Sequence, residues 1–446
     1  MAIIQPAGVD RRIWSFVLIW LGQLVSMLGS GLTNFTLGVW VYQRTGSATQ
    51  FTLIAVMASL PAVLILPIAG ALTDRFDRRR VMIVSNCGAG FTKLVIVALL
   101  FSGRLELWQV YLAVIAVSTF SICLDLVYTT TTTLLVPKEH FGRASGMTHG
   151  AQATAQIISP LLAGILITVV HIEGVLLIDL ATYLFAISTL LIVRLPRMPA
   201  STADKTGGGS MFGEARYGWT FIRARSGLLA LLIYFAAVNF AVGISQVLFT
   251  PMILSISSPK ILGIVLSIAG AGFLCGSIVM SIWGGPKHRV LGIFSYGSLF
   301  GLSTVLVGIG PSITPIALAS FAMFFMIPII NGCSQAIWQS KTPVGVQGRV
   351  FAVRRMIGLL GTPVAYLVAG PLADRVFEPL LSVNGPLAGS VGQIIGYGPG
   401  RGIGLIFIIM GILTILAQVG GYLYPRLREV ETELPDAIAL EALSQS

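Results

Sequence analysis

Apolar residues run along this chain in long blocks separated by short polar turns, from near the first residue almost to the last. Twelve blocks have the length of roughly 20 residues that a helix needs to cross a bilayer. They cover 13–39, 51–73, 81–102, 107–135, 147–170, 174–194, 227–250, 261–283, 290–310, 313–337, 351–373 and 402–424. The pattern predicts an all-α membrane protein of twelve transmembrane helices in two six-helix bundles. The first apolar block is long, and no small-residue cleavage site bounds a short hydrophobic core, so a cleavable signal peptide is not expected.

A polar interruption divides the blocks into two sets of six. Residues 1–194 form the expected N-terminal bundle, 195–226 a linker, 227–424 the C-terminal bundle and 425–446 a tail. The linker opens with prolines in "LPRMPA" and continues through the Gly-rich "STADKTGGGS". In "MFGEARYGWTFIRARSG", Phe212, Ala215, Trp219 and Ile222 make one apolar helical stripe flanked by Arg216, Arg223 and Arg225. That stripe fits a helix lying in the membrane interface, and equally an ordinary helix leading into the next span. The halves also repeat. "PKEHFGRA" follows the fourth span and "PVGVQGRV" the tenth, both reading P-x-x-x-x-G-R, as parallel duplication of a transporter half would give.

Composition narrows the class. The 446 residues are 55% hydrophobic and 10% charged, with mean hydropathy +0.89, which excludes a soluble protein of this size. The net charge of +11 is topological. With a cytoplasmic N-terminus, 22 of the 28 Lys and Arg fall in cytoplasmic loops and tails, five in the opposite loops and one, Lys93, within a span. This positive-inside bias predicts a multi-pass protein of the cell membrane with both termini cytoplasmic. It also accounts for the basic excess without nucleic acid, leaving some attraction to membrane lipid. Cys87, Cys123, Cys275 and Cys333 all fall inside spans, so neither a disulfide framework nor a metal site is expected. No cofactor is implied.

The stretch "GALTDRFDRRRVM", residues 70–82, sits in the turn between spans 2 and 3. Gly70 permits close helix packing, Asp74 can meet the positive end of another helix, and Arg78 can pair bidentately with a carboxylate. This stretch resembles the signature G-x-L-a-D-r-x-G-r-k-x-x-l of the major facilitator superfamily. Gly70, Leu72, Asp74, Arg75, Arg78, Arg79 and Met82 fit it, and Asp77 replaces the usual glycine. The resemblance implies a conformational latch built from Gly70, Asp74, Arg75 and Arg78, with Asp125 of span 4 as partner. Asp125 has two further readings, pairing with Lys93 and carrying a proton. The similar string "GPLADR" at 370–375 lies at the far end of span 11, where a local Asp374–Arg375 ion pair is expected. The 8–9 turn, "WGGPKHRV", keeps glycines and basic residues without the aspartate.

Span 5, "HGAQATAQIISPLLAGIL", is similar to the Gly-Pro element of antiporters in the superfamily, with Ser159-Pro160 in its place. "LLVPKEHFGRASG" and "GWTFIRARSGLLALL" resemble the macrolide-efflux and enterobactin-exporter branch, which implies proton-driven export of amphipathic small molecules by a monomer. In that architecture spans 1, 4, 7 and 10 line a central cavity. They offer Gln23, Asn34, Tyr128, Asn239, Gln246, Asn331, Gln335 and Trp338, a set of amides and rings suited to large, weakly charged substrates. Interhelical hydrogen bonding is the alternative role for any one amide. Proton-coupling candidates are Asp125 and Asp179, with His149 beside Gln152 and Gln156 more simply structural. Rival readings are a lipid translocase or importer on the same fold. An enzyme is disfavoured: the four histidines are scattered, and no H-E-x-x-H, G-x-S-x-G or P-loop occurs.

Overall fold

A computed structural model describes residues 7–75, 78–136, 141–193, 211–310, 312–343 and 346–433, all helix or connecting turn, with no strand among the described residues. In hydrocarbon every backbone N–H and C=O must be satisfied within its own segment, so long apolar blocks become helices. They are α1 (Ala7–Thr45), α2 (Ala48–Arg75), α3 (Arg78–Phe101), α4 (Leu107–Leu135) and α5 (Phe141–Ile192). After the linker come α6 (Met211–Arg223), α7 (Ser226–Ile256), α8 (Pro259–Trp283), α9 (Arg289–Ile309), α10 (Ile313–Lys341) and α11 (Gln347–Leu372). A π-helical turn, Ala373–Phe377, continues α11, and α12 (Arg401–Leu423) is the last long helix.

Among the described residues ten helices are long and apolar enough to cross a membrane. α5, at 52 residues, supplies two crossings, because its backbone breaks at His171 (φ 57°, ψ −174°) between the fifth and sixth apolar blocks. The 28-residue α2 completes the twelve.

The helices gather into two compact units, each described on its own. The first takes residues 1–46, 53–203 and 258–267, the second 47–52, 204–257 and 268–446. In the first, α1 packs along α5 and α3 joins both α4 and α5. Gly29 marks a close approach of α1 to α5: a Cβ there would stand 2.6 Å from Asp179 Oδ1. Phe16, Ile19, Met82, Val127 and Leu190 form part of its core.

In the second unit α9 packs on α10 and α12, and α11 on α7, around a core that includes Leu228, Leu231, Ile293, Cys333 and Trp338. The linker's α6 lies against α11, with Gly218 set so that a Cβ would stand 2.5 Å from the Arg349 carbonyl. Ile222 of its apolar stripe is buried and Trp219 exposed, while Phe212 and Ala215 have side chains outside the described residues.

Asp374 departs from the local ion pair expected with Arg375. Its carboxylate accepts from Ser47 Oγ at 2.6 Å and from the backbone N–H groups of Ala48 and Thr49 at 2.9 and 2.8 Å. It thus caps the first turn of α2, a turn that belongs to the second unit. Unpaired N–H groups at a helix start and the positive end of its dipole favour a carboxylate there over a neighbouring arginine.

Candidate functional site

α7, α10 and α11 of the second unit enclose a cavity of about 550 Å³, within the range of small-molecule sites. Asn239 of α7 and Asn331, Gln335 and Trp338 of α10 line it. The three α10 residues are spaced four and three apart, which puts them on one helical face. Four of the eight cavity residues expected from the sequence are therefore brought together here.

α11 adds two that sequence reasoning missed, Arg354 and Arg355. The partly buried Arg354 donates from Nη1 to Gln335 Oε1 at 2.9 Å and from Nη2 to Ser334 Oγ at 3.0 Å. Its guanidinium carbon stands 5.2 Å from the ring centroid of Trp338, a cation–π distance. No carboxylate joins it: the ion pairs among the described residues are Lys93–Asp179 and Arg428–Glu429. A charged side chain within a membrane span is costly, and only neutral groups and one ring engage this guanidinium. Trp338 itself is fully buried, and its Nε1–H finds no acceptor among the described residues.

The first unit holds a buried ion pair. Lys93 on α3 forms an ion pair with Asp179 on α5; the two are 5% and 0% exposed. Thr33 Oγ1 also donates to Asp179 Oδ2, and Lys93 donates to Ser30 Oγ at 3.2 Å. Ser30 and the Tyr183 hydroxyl share a hydrogen bond of 3.1 Å, with the Lys93 ammonium 4.3 Å from the Tyr183 ring centroid. The carboxylate and the ammonium are therefore both fully engaged, as a buried pair must be to offset its desolvation. Lys93, Thr33 and Asn34 line a second, mainly apolar cavity of about 230 Å³, so the pair has open space beside it. The alternative of Lys93 pairing with Asp125 is replaced by this arrangement.

The remaining expected residues are distributed differently. Gln23 is buried in α1 with its Nε2 unpartnered among the described residues. Tyr128 packs in the first unit's core beside Val127. Gln246 is exposed on α7 and lines neither cavity. Asp125 stands exposed on α4, and His149 Nδ1 lies 3.3 Å from Gln152 Oε1 on the open face of α5. Gly70, Asp74, Arg75 and Arg78 occupy the end of α2 and the start of α3, and their side chains lie outside the described residues.

Known proteins agree with this architecture. The sequence model of the Major Facilitator Superfamily matches residues 19–366. Macrolide efflux protein A of Streptococcus pyogenes is 26% identical over 373 residues, 81% of this chain and 90% of the relative. The multidrug efflux pump Tap of Mycolicibacterium fortuitum is 22% identical over 426 residues, 93% of this chain and 97% of its own. A solved bacterial homologue of the human lysosomal transporter Spinster, inward-facing and unoccupied, superposes with a TM-score of 0.68 at 12% identity over 95% of this chain and 98% of its own. With the helices, their two-unit grouping and the match across most of its length, the chain belongs to the major facilitator superfamily.

Proposed function

We propose that this protein is a secondary active exporter of amphipathic small molecules, working by alternating access and exchanging substrate for protons. The observation that carries the reading is the 550 Å³ cavity of the second unit, walled by apolar residues and edged by Asn239, Asn331 and Gln335. Apolar walls with a few convergent polar groups are what a drug-sized amphipathic molecule requires. The efflux functions named for the macrolide and multidrug relatives support the outward direction. The positive-inside bias supports a cell-membrane location with both termini cytoplasmic.

The proton role falls to Asp179. A proton on its carboxylate turns a neutral ion pair into a net positive one and frees Lys93 to turn toward the adjoining cavity. That is a charge-dependent rearrangement of α3 against α5, and it gives a proton a mechanical consequence. Gly70, Asp74, Arg75 and Arg78 retain the latch role with Asp125, biasing one access state through contacts that form when that side closes.

Inverted membrane vesicles, acidified inside by respiration and carrying a fluorescent proton-gradient probe, test the reading. Adding a transported amphipathic compound is expected to restore fluorescence as protons leave. Asp179→Asn is expected to abolish the response, and Asp125→Asn, which weakens the latch, to slow it without abolishing it. Loss in Asp125→Asn alone would move the carrier to α4, and silence of the intact protein toward every amphipath would sink coupled export.

A further inference from the structure

The composition of the predicted cavity, amides and rings without fixed charge, pointed to weakly charged substrates. The assembled cavity has a different character. Two guanidinium groups from consecutive positions of α11 line it, and no acidic side chain does. Arg354 spends two of its five N–H donors on Gln335 and Ser334. Both of those acceptors are neutral, so its charge is oriented without being neutralised. Arg355, exposed at the next position, adds a second positive charge. The polar inventory of this wall is rich in donors.

We infer that this cavity selects amphipathic anions, with Arg354 and Arg355 receiving a carboxylate, sulfonate or phosphate group and Leu231, Phe235 and Phe351 receiving the hydrocarbon. The inference rests on the reading of this cavity as the substrate site. A cationic amphipath fails on the same observations. It would face two like charges with no carboxylate to offset them, and the Trp338 ring that would attract it already carries Arg354. A neutral polyol fails because the apolar walls give its hydroxyls few acceptors. An anion completes what the protein leaves open: it accepts the spare guanidinium donors bidentately and cancels a charge held inside a membrane span. Held between two hydrogen bonds and a ring, the guanidinium is fixed in place before the ligand arrives, so little ordering remains to oppose binding.

The test uses full-length protein in phosphatidylcholine nanodiscs and three dansyl probes of equal chain length, ending in a carboxylate, its methyl ester or a primary amine. Dansyl emission reports binding. The carboxylate probe is expected to bind at least ~10-fold more tightly than either of the others, a difference of about 1.4 kcal/mol. Arg354→Gln is expected to erase that preference, and Arg354→Lys to retain part of it. Equal or tighter binding of the ester or amine to the unaltered protein overturns the inference, and this ranking needs no variant to fold. Persistence of the carboxylate preference in an Arg354→Gln/Arg355→Gln protein that elutes as a single folded species overturns it as well. Repeating the titration with phosphatidylglycerol in the discs separates the two sources of anion. Competition identifies a lipid headgroup, and its absence a solute. Binding is read here without a gradient, so the outcomes part cleanly from those of the vesicle assay. A pump that moves amines keeps the export reading and loses this inference, whereas anion binding without proton movement does the reverse.

Discussion

Lys93 and Asp179 illustrate how a membrane interior changes the worth of a single side chain. Each is almost fully buried, and each is satisfied chiefly by the other. Removing one partner strands a charge in low dielectric, a loss of about 3–5 kcal/mol, while replacing both by apolar groups of similar size is close to neutral. Lys93→Met alone is therefore expected to lower the apparent melting temperature of the detergent-solubilised protein sharply. Lys93→Met/Asp179→Leu should recover most of the loss. A double variant whose loss equals the sum of the Lys93→Met and Asp179→Leu losses would show that the pair is not energetically coupled. Both residues were conspicuous in the sequence as ionisable groups inside spans, yet their partnership was not. It depends on which helices adjoin, and Asp125 competed on depth alone. Arg354 and Arg355 were hidden by a related ambiguity. They lie seven and eight residues into α11, close enough to its start to be counted with loop charges, although two arginines within the apolar run "FAVRRMIGLL" were a usable signal.

At the scale of helices, length and composition carried the twelve crossings, because hydrocarbon leaves the backbone little else to form. What they did not carry were the joins. The carboxylate that caps α2 comes from Asp374, more than three hundred residues away, and no local pattern marks it. Asp374→Ala is expected to cost about 0.5–2 kcal/mol, the usual worth of an N-cap. Ser47 Oγ, which also accepts from the Gln50 N–H at 3.3 Å, holds part of that first turn. Melting of the solubilised variant measures the loss, and an unchanged midpoint would mean the cap adds nothing to the fold. The break in α5 argues in the opposite direction. His171 sits at φ 57°, ψ −174°, a region that suits glycine and strains any residue with a Cβ by on the order of 1–3 kcal/mol. His171→Gly should then raise the melting point and His171→Val lower it. A rise for valine would indicate that the two spans of α5 join through another backbone geometry.

For the whole molecule, the buried ion pair belongs to the first unit and the larger cavity to the second. If one handles the proton and the other the substrate, chemistry at the two can be interrupted separately. Exchange of labelled for unlabelled substrate across a membrane needs binding and the alternation of access, but no net proton movement. Uphill transport needs both, with proton and substrate each lowering the affinity for the other by the same factor. Asp179→Asn removes the proposed proton carrier and leaves the cavity intact, so counterflow in proteoliposomes is expected to continue while gradient-driven accumulation stops. Arg354→Gln removes a binding contact, so both activities are expected to fall together, with affinity lowered at every pH. Counterflow lost in Asp179→Asn, in protein that still binds substrate, would mean that the ion pair is needed for the alternation itself. The proton would then act on the conformational change and not merely on its energy supply.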